Sequence, residues 1–190
     1  MRNHLQIPLI LILVSLTSIV SSQQWAPGLP EGTPFPNINA VDQHGKTWTN
    51  KTLIGKKGLI FFFVRSSDWC PFCKKQLVEL SEKKAVFDAL GVNVAAMSYD
   101  TNATNSKFAD RYSITFPLLA DKNTVHVNAF GIRNDSYAEG HRAYGVPLPG
   151  VFLVDGDGNI YSKFAEQDYR QRPAMELVIE SATNMAADQD

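Results

Sequence analysis

Cysteine is scarce in these 190 residues: there are two, Cys70 and Cys73, three positions apart. A disulfide-stapled scaffold spreads its cysteines so that each bridge closes a long loop. A bridge between these two closes almost none, so reactivity explains the pair better than stapling. No second Cys-x-x-Cys exists, and His44, His126 and His141 are scattered, which speaks against a zinc site with four ligands. Basic residues do not cluster either: Lys56-Lys57, Lys74-Lys75 and Lys83-Lys84 are short, dispersed pairs in a chain of formal net charge −1. Such pairs read as solvated surface and give no face for nucleic acid.

Also missing is a run of about 20 predominantly apolar residues, the length that spans a bilayer. The run from Ile7 to Val20 is shorter and is broken by Pro8, Ser15, Thr17 and Ser18. Arg2 and His4 precede it, and Ser21-Ser22 and Gln23-Gln24 follow, so residues 1–22 read as a secretory signal cleaved near residue 22. A retained N-terminal anchor is the alternative, and only then would the protein meet a membrane. The expected location is extracytoplasmic, periplasmic or secreted. Residues 23–37 hold Pro27, Pro30, Pro34 and Pro36 with two glycines, an extended lead-in expected to help neither helix nor sheet. One domain is expected over 38–190.

What is there alternates between strand and helix. Val41 to Trp48 predicts two short strands around a glycine turn, and Gly58 to Val64 a central strand buried on both faces. From Pro71, the spacing of Cys73, Leu77, Leu80, Phe87 and Leu90 predicts a helix stopped by Gly91. Val92 to Met97 reads as a strand, Thr101 to Tyr112 as a short helix, and Phe116 to Leu119 continues the alternation. Val151–Val154 and Ile160–Phe164 flank an Asp155-Gly-Asp-Gly-Asn159 turn, and Pro173 opens a last helix to about Met185. The order describes an α/β sandwich with a mixed sheet.

The two cysteines therefore stand at the start of a helix, with Pro71 where a missing N–H is harmless. The partial positive charge and free N–H groups of a helix N-terminus favour thiolate, so the Cys70 pKa should fall from its free value of about 8.5. Cys70 is read as the solvent-facing nucleophile and Cys73, one turn on and more enclosed, as the thiol that resolves a mixed disulfide. Trp69 would supply an apolar wall beside them.

The run Phe61-Phe-Phe-Val-Arg-Ser-Ser-Asp-Trp-Cys-Pro-Phe-Cys73 resembles the strand and active-site helix of the thioredoxin superfamily. Ile114 to Asp121 and Ala129 to Ile132 resemble the alkyl hydroperoxide reductase and thiol-specific antioxidant group, its peroxiredoxin-like branch, and Tyr144 to Asp155 a strand entry common to both. The resemblance implies a thioredoxin-like three-layer sandwich with an N-terminal β extension. Peroxiredoxins resemble one another in Pro-x-x-x-Thr/Ser-x-x-Cys and in an arginine at the late strand entry. This chain keeps Ser67 but has Phe63 at the proline position and Pro149 at the arginine position. There, thioredoxins carry a cis-proline that exposes a backbone ledge for a partner chain. Arg65 and Arg142 are the candidates to replace the missing arginine in space and steer a peroxide.

Other features have plainer readings. Asp155, Asp157, Asn159 and Glu166 imitate a calcium loop, but Ile160 stands where glycine is needed, and a hairpin turn is the better account. Asn50, Asn102 and Asn134 begin glycosylation-type triplets. His126 and His141 are possible acid/base groups. The expectation is a redox enzyme with no cofactor beyond a Cys70–Cys73 disulfide and no resident metal, exchanging disulfides with protein or small thiol partners. The alternative is a peroxidase in which Cys70 becomes a sulfenic acid that Cys73 condenses with. From another class comes a copper(I) carrier that adds a histidine to the two thiolates.

Overall fold

A computed structural model describes residues 25–189, so the leader read over residues 1–22 lies outside the described residues. The chain runs through β1 (Asn39–Val41), β2 (Thr47–Thr49), α1 (Asn50–Leu53), β3 (Leu59–Phe63), α2 (Pro71–Ala89), β4 (Asn93–Ser98) and α3 (Asn102–Tyr112). It continues through β5 (Leu118–Ala120), α4 (Val125–Ala129), β6 (Gly150–Val154), β7 (Ile160–Phe164) and α5 (Met175–Ala187). The strands form one seven-stranded sheet in the order β2-β1-β5-β4-β3-β6-β7. The β3–β4 and β4–β5 pairs are parallel and the others antiparallel, the mixed sheet expected.

Alternation along β3 divides the interior. Ile60, Phe62 and Val64 pack with Leu77, Leu80 and Phe87 of α2, Phe108 of α3 and Val178 of α5. Leu59, Phe61 and Phe63 enter the opposite layer with Leu53 of α1, Val127 of α4 and Phe152. All five β3 residues are fully buried, which is why the strand reads as a continuous apolar run. Gly58 before it has φ +122°, and a Cβ there would collide with the Val154 carbonyl. Gly91, at φ +75°, ends α2 in a left-handed conformation.

The proline-rich lead-in contributes more than a connector. Trp25 packs at a tilt on Phe152 with ring centroids 4.6 Å apart, and Phe35 meets Phe61, Phe130 and Phe152 edge-on. Pro34 bridges to Asn159, and Gly32 N–H donates to the Ile160 carbonyl at 2.7 Å, so the segment also adds to the sheet margin at β7. Prolines cannot donate to a ladder, but the residues between them still donate, accept and pack. The 155–159 segment is the hairpin turn expected, its Asp155 carboxylate accepting from the N–H groups of Asp157 and Asn159.

Candidate active site

Cys70 is the N-cap of α2, Pro71 its first residue, and Cys70 and Cys73 are joined in a disulfide with Cα atoms 5.3 Å apart. The Cys73 N–H points at Cys70 Sγ at 3.3 Å, one of the free amides that a helix start offers to a thiolate. Cys70 is not the open sulfur expected: it is 1% exposed and Cys73 0%. Chain from distant parts of the sequence encloses them. Arg65, buried just after β3, donates from Nη2 to Tyr137 Oη at 2.8 Å. Its guanidinium lies 3.9 Å from the Tyr169 ring centroid and 5.1 Å from that of Trp69. Among the described residues the buried Arg65 Nε has no hydrogen-bond partner. Tyr169 also meets Phe72 edge-on, and both rings are over a third exposed.

Trp69 packs against the cluster containing both cysteines, and its Nε1 donates to Tyr99 Oη at 2.9 Å. Tyr99 in turn donates to the Arg142 carbonyl at 2.5 Å, and the exposed Arg142 guanidinium lies 5.1 Å from the Trp69 ring. Arg65 and Arg142 therefore meet around Trp69, one inside and one at the rim.

The approach to Cys70 is built on Asp100, just beyond β4. Its carboxylate accepts from Ser67 N–H at 2.7 Å and from the Ser66 hydroxyl at 3.0 Å. Ser66 Oγ in turn accepts from the N–H groups of Asp68 and Trp69. Burial raises the Asp100 pKa from its ordinary value, against the opposing pull of the Ser67 N–H and the serine hydroxyls. The Ser67 hydroxyl lies 2.8 Å from Asn105 Oδ1 and 3.1 Å from Asp100 Oδ2, two acceptors for its single proton. It is tied into this buried network, not left free for a peroxide.

Pro149 is buried beside Gly150, whose register partner is Phe63, so it stands at the sheet end from which Arg65 to Cys70 emerge. The cis peptide expected before it is absent: among the described residues every peptide is trans. Trp25 Nε1 donates to the Leu148 carbonyl at 3.0 Å, and the Leu148 N–H donates to Ile132 at 2.7 Å. Both backbone groups that a ledge would offer are already in use.

Sequence reasoning missed Asp100, Asn105, Tyr137, Tyr169 and Arg172. Each lies on a different segment from the motif, and only the tertiary fold brings them to it. Arg172, between β7 and α5, places Nη2 3.4 Å from Cys73 Sγ. The histidines are engaged elsewhere: His126 contacts Asp121 at 2.9 Å and accepts from Asn39 N–H, and His141 stacks on Tyr137. Among the described residues no group of three or more His, Cys, Asp or Glu side chains forms a metal-binding cluster.

A vicinal dithiol pair at a helix start on this sandwich defines a thiol-based oxidoreductase. Comparison with known proteins gives the family. The model of the AhpC/TSA family matches residues 32–163, and the chain belongs to that family. It is 26% identical to the thiol-disulfide oxidoreductase ResA of Bacillus cereus, over 74% of this chain and 73% of that one. Among solved structures, a peroxiredoxin-like protein from Aquifex aeolicus superposes with a TM-score of 0.70 at 17% identity, covering 83% of this chain and 88% of the other. Enterococcus faecalis AhpC gives 0.69 at 24% identity, covering 85% and 97%. These likenesses carry the thioredoxin-like fold.

Proposed function

We propose that this protein is an extracytoplasmic thiol-disulfide exchange enzyme in which Cys70 takes the partner sulfur and Cys73 resolves the mixed disulfide. The observation that carries this reading is the Ser67 hydroxyl. A peroxidatic site needs donors aimed at the O–O bond as it breaks, and here that hydroxyl is held by Asn105 and Asp100. The internal disulfide between residues one helical turn apart is a product that exchange and the peroxidase alternative share, so the Ser67 environment carries the choice. ResA is itself a thiol-disulfide oxidoreductase, and the apolar run ahead of Ser21 supports export.

Burial of both sulfurs requires a partner to displace part of the cover, and the half-exposed Phe72 and Tyr169 are the side chains it meets first. Trp69 forms the fixed wall. Pro149 bounds the site without donating a ledge.

One observation favours the peroxidase reading: Arg65 has a buried Nε with no partner among the described residues, the kind of donor a peroxide oxygen would accept from. Purified reduced protein distinguishes the two. Exchange predicts reduction of insulin disulfides, abolished by Cys70→Ser, with slow hydroperoxide consumption. Rapid hydroperoxide consumption with a thiol reductant and no insulin reduction would replace this reading with the peroxidase.

A further inference from the structure

Arg172 is held with unusual completeness for a residue in a connecting loop. Nε donates to Gln76 Oε1 at 3.0 Å, Nη1 to the carbonyls of Tyr169 and Gln171, and Nη2 reaches Cys73 Sγ. Gln76 is buried on α2 three residues beyond Cys73, so the helix that carries the sulfur also aims the cation at it. None of these partners is a carboxylate. Asp168 attracts Arg172 from a distance but is paired with Arg170 at 2.8 Å. The second guanidinium nearby, Arg65, also has no carboxylate partner among the described residues and repels Arg172. Burial first, and then that repulsion, lower the Arg172 pKa to about 10, which leaves it charged at neutral pH. Cys73 belongs to an apolar core cluster that also holds Val64, Leu77, Met175 and Val178. The disulfide form thus holds two guanidinium groups that, among the described residues, have no carboxylate partner.

Reduction supplies the missing negative charge. We propose that Arg172 is a catalytic residue that stabilises Cys73 as the departing thiolate when a partner attacks Cys70. The partner's thiolate places an electron pair on Cys70 Sγ and forms the intermolecular disulfide. The Cys70–Cys73 bond breaks, and its electron pair leaves on Cys73 Sγ beside Arg172 Nη2, with no proton transferred. In the reverse direction the same thiolate attacks Cys70 and expels the partner. A lower Cys73 pKa speeds departure and, while that pKa stays at or above the ambient pH, enlarges the thiolate fraction that attacks by more than it reduces nucleophilicity, so one cation serves both directions. Arg65 adds field without touching Cys73.

The proposal rests on the exchange reading, and its test needs no partner protein. In a Cys70→Ser chain, Cys73 is the only thiol, and its thiolate can be titrated by ultraviolet absorbance. The expected pKa lies below the free value of about 8.5, although burial alone would raise it. Adding Arg172→Gln should raise it by about one unit, roughly tenfold less thiolate on the acid side of the titration, and Arg172→Lys should recover part of that. With both cysteines present, and at a pH above both Cys73 values where the reduced form carries that thiolate, Arg172→Gln should shift the equilibrium with glutathione up to about tenfold toward the disulfide, about 30 mV. If Arg172→Gln fails to fold, Gln76→Leu, which releases Nε, takes its place with the same direction expected. A Cys73 pKa unmoved by these changes overturns the proposal even in an active exchange enzyme. A pKa that moves in a protein unable to exchange disulfides keeps the electrostatic assignment and removes the exchange reading.

Discussion

The two segments that flank the disulfide are held in opposite ways. On the β3 side, Ser66 and Ser67 are buried and tied through short hydrogen bonds to the buried Asn105 and the partly buried Asp100. On the α5 side, Tyr169 is 37% exposed and meets the site through ring contacts with Arg65 and Phe72. Buried hydrogen-bonded groups are expensive to separate, whereas exposed cation–π contacts are weak. The first segment therefore fixes where Cys70 stands, and the second is a cover that a partner can displace.

Breaking the rigid side should have the largest effect. Asp100→Ala strips acceptors from the Ser67 N–H and the Ser66 hydroxyl, and should destabilise the protein by about 2–3 kcal/mol in urea denaturation. It should also slow exchange by loosening the loop that leads to Cys70. An effect within error of zero would mean that water satisfies these groups as well as the carboxylate does.

Asp100→Asn sharpens the same point through pH. Because the folded-state pKa of Asp100 is raised, its favourable contribution is complete below the ordinary carboxylate value and declines as pH rises through the raised one. The stability advantage of the native protein over Asp100→Asn should therefore be larger in acid than at neutrality. An amide resembles the protonated carboxyl and can donate to Ser67 Oγ, so in acid the variant should nearly match the parent, and at neutral pH it should be the more stable of the two. Denaturation at both ends of that window measures the difference, and an advantage that grows with pH would reverse the assignment.

The smallest change is expected on the exposed side. Tyr169→Ala removes a partly exposed cation–π contact worth no more than about 1 kcal/mol. Alkylation of Cys70 in the reduced protein should nevertheless accelerate. Unchanged alkylation would show that Tyr169 is not part of the cover.

Much of the motif's setting was legible because it is local. The apolar run Leu59 to Phe63, Pro71 at the first helical position and the spacing of Leu77 and Leu80 are each decided by near neighbours along the chain. The enclosure was not legible. Tyr137 lies 72 positions from Arg65, and Arg172 lies 99 from Cys73, and nothing in their own segments marks them. The prolines of the lead-in correctly signalled extended chain but concealed Trp25 and Phe35, whose rings complete a core layer. Pro149 invited a cis peptide by its position, but its neighbour Leu148 is bound by Trp25, a contact that sequence spacing does not express.

The central claim is that Cys70 reacts with disulfides in preference to peroxides, and a competition in the Cys73→Ser protein tests it most directly. Without Cys73, whatever Cys70 forms first is retained and can be weighed. Reduced Cys73→Ser offered a protein disulfide and a hydroperoxide at equal concentration should accumulate the mixed disulfide on Cys70. Accumulation of Cys70 sulfenic acid instead would contradict the account and make the enzyme a peroxidase.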